Sequence, residues 1–253
     1  MAKPWQKLKR FIVDTHCHVG NYPEPQAIID SLEREQMHAL MMTINPPEFI
    51  EFQALHQSPN ITACLGLFPL EFSRDDYQEL EEQFFQLLEA NKNIGEVGLD
   101  FTVDQKYQER QSKFLTRLVS IADQQAINFL SLHSRRASTE TIQLLSDQKI
   151  KTPAILHWFS GSIDDVKRAS TIENIYFSIN PAMIKSRSSR QWLALIPKER
   201  ILLETDGPYI KMGSRGIIPK DLTTVVEHFS KLWDLELPEA MQIIHDNWLR
   251  IKA

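Results

Sequence analysis

Eight apolar runs of strand length recur along this chain at intervals of about 25–35 residues, and they limit its fold more than any other feature. They span 11–16, 39–44, 61–68, 94–99, 127–133, 153–159, 175–179 and 201–205. Most are separated by amphipathic stretches at helical spacing. In 105–124, for example, Tyr107, Phe114, Leu118 and Ile121 share one face. Near-continuous apolar strands alternating with helices predict a parallel sheet covered on both sides. Eight such units in 253 residues fit an α/β fold of the (β/α)8 TIM-barrel type, with a doubly wound open sheet as the alternative. The stretch 238–250 reads as one extra C-terminal helix. No linker or repeat divides the chain, so a single domain over 1–253 is expected.

The formal net charge of -5 does not mark a general nucleic-acid binder. No run of about 18 or more apolar residues is present, so no transmembrane helix is expected and no membrane partner. The basic start, Met1 to Lys7, leads toward a strand rather than a signal-peptide apolar region. Two cysteines, Cys17 and Cys64, fall in different expected strands, which argues against a disulfide framework and for a cytoplasmic location. Cys17 reads as a small core residue.

Polar residues gather at the C-terminal ends of these runs. The first ends in Asp14-Thr15-His16-Cys17-His18. Strand alternation places His16 and His18 on one side and Cys17 on the other. The fourth run carries Glu96, the fifth ends in His133, the sixth in His157 and the eighth in Asp206. In a barrel these ends converge on the face where such folds place their chemistry. His16, His18, Glu96, His133, His157 and Asp206 form a mixed nitrogen and oxygen set suited to Zn2+, Mn2+ or Mg2+. Six ligands exceed the needs of one open catalytic ion and suit two divalent metal ions, with Glu96 able to bridge them.

The charge distribution is segregated. No Asp or Glu occurs between Glu173 and Glu199, a stretch holding Lys185, Arg187, Arg190 and Lys198. None occurs between Asp206 and Asp221, a stretch holding Lys211, Arg215 and Lys220. Arg135 and Arg136 directly follow His133. A cationic rim on an acidic protein predicts an anionic substrate, with Arg135, Lys185 and Arg187 as phosphate contacts. Phe68, Trp158, Phe159 and Tyr209 are each equally suited to stacking on a base and to ordinary packing.

These residues resemble the TatD family of metal-dependent deoxyribonucleases. The likeness covers Val13 to His18, Gly95-Glu96-Val97-Gly98-Leu99-Asp100, Leu132 to Arg135, His157-Trp158-Phe159-Ser160-Gly161 and Leu203 to Tyr209. It implies a TIM barrel with two divalent ions that hydrolyses DNA phosphodiesters, often from a strand end. By position, His16, His18, Glu96 and Asp206 would hold one ion, and Glu96, His133 and His157 the other. Asp206 would orient or deprotonate the attacking water, and Glu96 and Asp206 are the expected catalytic carboxylates. Two departures stand out. Gly66-Leu67-Phe68-Pro69-Leu70 lacks the two histidines common after the third strand, and Arg215-Gly216-Ile217-Ile218-Pro219 lacks the usual Asn.

The wording at 134–137, 157–161 and 180–183 is similar to the TatD-like members encoded in bacterial Qat anti-phage defence operons. That likeness implies antiviral defence and protein partners from the same operon, beside single-stranded DNA or strand ends as substrate. Three rivals stay open. One is a metal-dependent hydrolase of a non-nucleic-acid ester or amide. Another is a non-catalytic nucleic-acid- or partner-binding subunit of a defence complex. The third is a defence-complex component whose activity appears only with partner proteins.

Overall fold

A computed structural model describes residues 11–55 and 57–252. The basic start, Met1 to Lys7, lies outside the described residues. Each of the eight apolar runs overlaps a strand: β1 (Val13–Cys17), β2 (His38–Met42), β3 (Ile61–Cys64), β4 (Asn93–Asp100), β5 (Phe129–Arg135), β6 (Ala154–Leu156), β7 (Ile175–Ile179) and β8 (Ile201–Leu203). Helices fall between them: α1 (Pro25–Glu35), α2 (Pro46–Leu55), α3 (Tyr77–Leu88), α4 (Gln105–Ala122), α5 (Ser138–Asp147), α6 (Ile163–Ser170) and α7 (Arg187–Leu193). A two-stranded hairpin, β9 (Lys211–Met212) with β10 (Arg215–Gly216), then precedes α8 (Thr223–Leu232) and α9 (Leu237–Lys252).

The strands form one sheet in the order β3-β2-β1-β8-β7-β6-β5-β4. The outer members of that order meet through a parallel bridge, Leu65↔Ile94. This is the strand order of a (β/α)8 barrel. Strands β1, β6, β7 and β8 are buried along their whole length, the condition that produces unbroken apolar runs. The expected helices at 105–124 and 238–250 are α4 and α9.

Several runs are longer than their strands, for local reasons. The run at 61–68 is regular strand only to Cys64, although Leu65 and Leu67 still donate to the Asn93 and Glu96 carbonyls of β4 (2.9 and 3.0 Å). A Cβ on Gly66 would lie 1.6 Å from the Thr43 carbonyl oxygen, so the backbone passes where only glycine fits. Pro69 then supplies no N–H for pairing. The hairpin β9–β10 was not apparent from periodicity, because two-residue strands are too short to show alternation.

By internal contacts the described residues divide into two compact units, 11–41 with 57–62 and 178–252, and 42–55 with 63–177. In the first, β1 pairs in parallel with β2 and β8. Helix α9 is anchored to β8 through buried Asn247, whose amide donates to the carbonyls of Ile201 (2.9 Å) and Lys198 (2.7 Å). In the second, β4, β5, β6 and β7 pair in sequence. Phe72, Phe84 and Phe114 pack there with ring centroids 5.1 Å apart. This cluster seats α3 and α4 and removes a large aromatic area from water.

Two strands carry an extra residue. Between Ile94 and Val97, β4 advances three residues while β5 advances two, from Leu130 to Leu132. Between Asp14 and Cys17, β1 does the same against Ala39 and Met41 of β2. A bulge of this kind turns a strand locally and re-aims a side chain. Glu96 and His16 fall inside these two irregularities.

Gly98 has φ +140°, and a Cβ there would lie 2.1 Å from the His133 carbonyl oxygen. The contact is with backbone, which cannot rotate away. Gly98→Ala should therefore destabilise the fold by at least about 1–3 kcal/mol, the usual cost of a strained backbone position. Urea unfolding checks this, and unchanged stability would contradict the close approach of β4 to β5.

Candidate metal centre

In the first unit, β1 and β8 are joined by more than their ladder. Asp14 is fully buried. Its carboxylate accepts from the Thr205 amide (2.9 Å), the Thr205 hydroxyl (2.6 Å) and the His16 amide (3.3 Å). Burial pushes the Asp14 carboxyl up to about 7, against the Thr205 and His16 hydrogen bonds, which lower it. Thr15 Oγ1 donates to the Leu203 carbonyl (2.9 Å), the Asp206 amide to the His16 carbonyl (2.9 Å), and the His18 amide to the Gly207 carbonyl (2.9 Å). The segment His16-Cys17-His18 is thereby held in fixed register with Asp206.

The result is a compact donor set. The rings of His16 and His18 lie with centroids 5.2 Å apart. Asp206 Oδ1 is 3.9 Å from His16 Nε2 and 3.5 Å from His18 Nε2. All three side chains are buried. Asp206 has φ +48°, a left-handed conformation that a non-glycine residue adopts at some cost and that recurs at functional sites. Tyr209, 55% exposed, lies edge-on to His18 with centroids 5.0 Å apart, and its hydroxyl accepts from Asn21 Nδ2 (2.7 Å).

Cys17 takes no part in this set. It is a buried free thiol near the Tyr22 hydroxyl (3.9 Å) and the Gly207 carbonyl (3.8 Å), and burial pushes its pKa well above the ordinary range. A thiol held protonated is a poor metal ligand.

In the second unit, Glu96, His133 and His157 offer one ligand atom each within 4.8 Å of one another. Glu96 Oε1 is 2.7 Å from His133 Nδ1 and 3.8 Å from His157 Nε2. Imidazole nitrogen with carboxylate oxygen is the donor chemistry of borderline and hard divalent cations, so both sets fit such an ion. Trp158, which follows His157, has φ +36° and is 40% exposed.

The structure adds a residue that sequence reasoning left without a role. Asp100 Oδ2 lies 3.0 Å from His133 Nε2, so His133 is held between two carboxylates. Burial alone would lower the His133 pKa, but the hydrogen bonds with Asp100 and Glu96 prevail and raise it. Asp100 is fixed in turn: its other oxygen accepts from the Thr102 amide (2.9 Å), and its own amide donates to buried Gln111 Oε1 (2.9 Å). With Nε2–H donated to Asp100, Nδ1, 2.7 Å from Glu96 Oε1, would be the nitrogen left to hold an ion once its proton is displaced. Carboxylates in this position fix the tautomer and orientation of a ligating histidine. The available signal was spacing, since Asp100 follows Glu96 by four residues on the same strand.

The remaining expected residues are placed as follows. Arg135 ends β5, Lys185 lies in the turn two residues before α7 and Arg187 begins α7, all three exposed. Arg215 is committed elsewhere, since its guanidinium binds Asp221 through both oxygens at 2.6 and 2.8 Å. Phe68 lies edge-on to His133 with centroids 5.0 Å apart. Phe159 is buried against Phe177 and belongs to the core.

Asp100→Asn should weaken divalent-ion binding by roughly 10- to 100-fold, the usual effect of removing a partner that orients a metal ligand. Competition with a chromophoric chelator measures this. Unchanged affinity would mean that Asp100 serves packing alone.

The family described as TatD related DNase matches residues 13–252. Two similar proteins are the uncharacterized metal-dependent hydrolase MG009 of Mycoplasma genitalium and the deoxyribonuclease TATDN3 of Homo sapiens. The first is 26% identical over 253 aligned residues, covering 92% of this chain and 96% of that protein. The second is 26% identical over 264, covering 95% of this chain and 94% of that protein. Among solved structures, YJJV, a TatD homolog from Escherichia coli K12, superposes with a TM-score of 0.83 at 23% identity, covering 95% of this chain and 97% of that one. The family match runs from β1 through α9 and takes in every candidate ligand: the chain belongs to the TatD related DNase family.

Proposed function

We propose that this chain, acting as one domain over residues 1–253, is a metal-dependent deoxyribonuclease that hydrolyses phosphodiester bonds of single-stranded DNA or strand ends. His16, His18, Glu96, His133, His157 and Asp206 would hold up to two divalent ions, with Glu96 the ligand able to serve both. The observation that carries this reading is the position of Glu96 Oε1, 2.7 Å from His133 Nδ1 and 3.8 Å from His157 Nε2. One buried oxygen facing two imidazoles is costly without a cation or proton to balance it.

Divalent ions in such a set lower the pKa of water and neutralise charge on phosphoryl oxygens. The protein's own groups supply the rest. Water adds to phosphorus and one ester P–O bond breaks, leaving a phosphate monoester on one product and a hydroxyl on the other. Asp206 turns Oδ1 toward the two histidines, and its second oxygen is suited to accept the proton of the attacking water. Arg135, Lys185 and Arg187 hold flanking phosphates by charge-assisted hydrogen bonds.

Metal analysis together with hydrolysis of 3′- and 5′-labelled single strands tests the reading. Glu96→Ala should abolish hydrolysis and reduce bound metal while the unfolding midpoint stays near that of the parent. Asp206→Asn should be inactive as well. A Glu96→Ala protein with full metal content and full activity would defeat the assignment.

A second reading is favoured by Phe68. Packed edge-on against His133, it stands where many relatives of this family carry a histidine, and it can neither donate a hydrogen bond to phosphate nor carry a proton. On this reading the chain is a non-catalytic nucleic-acid- or partner-binding subunit of an anti-phage defence complex. Phe68→His separates the two. If the parent is the active enzyme, the change should shift substrate affinity or strand-end choice by about 1–3 kcal/mol, the range for one hydrogen bond to a charged group. A parent silent with every metal and partner, and switched on by Phe68→His, would favour the second reading.

A further inference from the structure

A cavity of about 340 Å3 opens in the first unit beside the segment that carries Asp206. Its wall begins one turn after that residue, since the Tyr209 and Ile210 amides both donate to the Asp206 carbonyl (3.0 and 3.4 Å). Pro181, Ile210 and Ile217 line it with buried apolar surface. The Ile217 amide donates to the Ile210 carbonyl (2.9 Å), which holds the two isoleucines together. Lys185, Ser186 and Lys211 stand at its polar side, and both lysines are exposed.

The charge around this cavity is one-sided for a reason visible in the chain. Its lining comes from two segments, one between Glu173 and Glu199 and one between Asp206 and Asp221, and neither contains an acidic residue. Folding brings these acid-free segments to one place. Asp221, the acid that ends the second segment, is already paired with Arg215. That bidentate pair braces the β9–β10 hairpin, which presents Lys211. Among the described residues, no side-chain hydrogen bond or ion pair engages Lys185 or Lys211. Two uncompensated ammonium groups over an apolar floor suit a ligand that carries an anionic group on an apolar, ring-sized body.

We propose that this cavity is a subsite for one nucleotide unit of the DNA strand. The phosphate is held by Lys185 and Lys211, and the sugar or base is seated on Pro181, Ile210 and Ile217. The proposal deepens the nuclease reading and rests on it for the identity of the ligand. Within the first unit, it explains why positive charge is concentrated next to Asp206 in a chain whose net charge is -5.

The test uses the full chain stripped of metal, so that binding is read without cleavage. Anisotropy of a labelled oligothymidylate is followed across a salt series, with dTMP, thymidine and inorganic phosphate as competitors. dTMP should compete at least tenfold better than thymidine or phosphate, because only dTMP fills both parts of the cavity. Lys185→Ala with Lys211→Ala should lower oligonucleotide affinity about tenfold. It should also reduce the slope of log affinity against log salt by about 0.7, the value for one phosphate neutralised on a single strand. Ala182→Trp, which fills the cavity from its edge without touching charge, should abolish competition by dTMP and leave the salt slope of the oligonucleotide largely intact.

Inorganic phosphate competing as well as dTMP would overturn the proposal in favour of a simple anion site. An unchanged affinity and salt slope in the double lysine variant would overturn it as well. The nuclease reading fails separately. If the metal-loaded parent cleaves no DNA while the binding pattern above is found, the subsite stands and the catalytic reading falls. If the parent cleaves DNA and the double variant keeps its KM, the reverse holds.

Discussion

The buried carboxylate of Asp14 is the interaction on which the first half of the candidate site depends. It lies between β1 and the segment after β8 and accepts from Thr205 twice and from the His16 amide. Its carboxyl sits at about 7 because burial opposes the charge and the hydrogen bonds only partly offset that. Leaving such a group unpaired costs about 1–3 kcal/mol or more, so the two segments are locked in one register. The register determines that His16, His18 and Asp206 meet within 4 Å. Asp14 is thus a positioning residue for three candidate ligands while touching none of their donor atoms.

The second half is organised by the same kind of device with a different emphasis. Gly98 lets β4 pass within van der Waals reach of the His133 backbone, and the irregularity between Ile94 and Val97 re-aims Glu96. Asp100 then fixes His133 from the far side. In both units a ligand sits at a strand irregularity, a carboxylate orients a neighbour, and a residue next to or within the ligand set has a left-handed backbone. Strain of this kind persists only where surrounding contacts determine the geometry, which is the requirement of a metal centre.

The surface chemistry narrows what these centres can act on. Arg215 is neutralised by Asp221, so the basic rim is smaller than a count of cations suggests. Besides it there are Arg135 at the end of β5, Arg187 at the start of α7, and Lys185 and Lys211 at one apolar cavity. Phe68 packs edge-on against His133 with ring centroids 5.0 Å apart.

The sequence by itself determined the element order. Apolar runs and amphipathic stretches report local periodicity, and every one of the eight runs overlaps a strand. It also determined the chemical character of the candidate ligands, because imidazole and carboxylate at strand ends can be recognised without coordinates. Tertiary structure decided what depends on contacts between residues distant in sequence. The role of Asp100 needs His133, 33 positions away, and that of Asp14 needs Thr205, 191 positions away. The neutralisation of Arg215 and the meeting of two acid-free segments at one cavity likewise required the chain to fold. Periodicity carries no information on which distant side chains share a hydrogen bond, and those pairings set the register, tautomer and charge on which the chemistry rests.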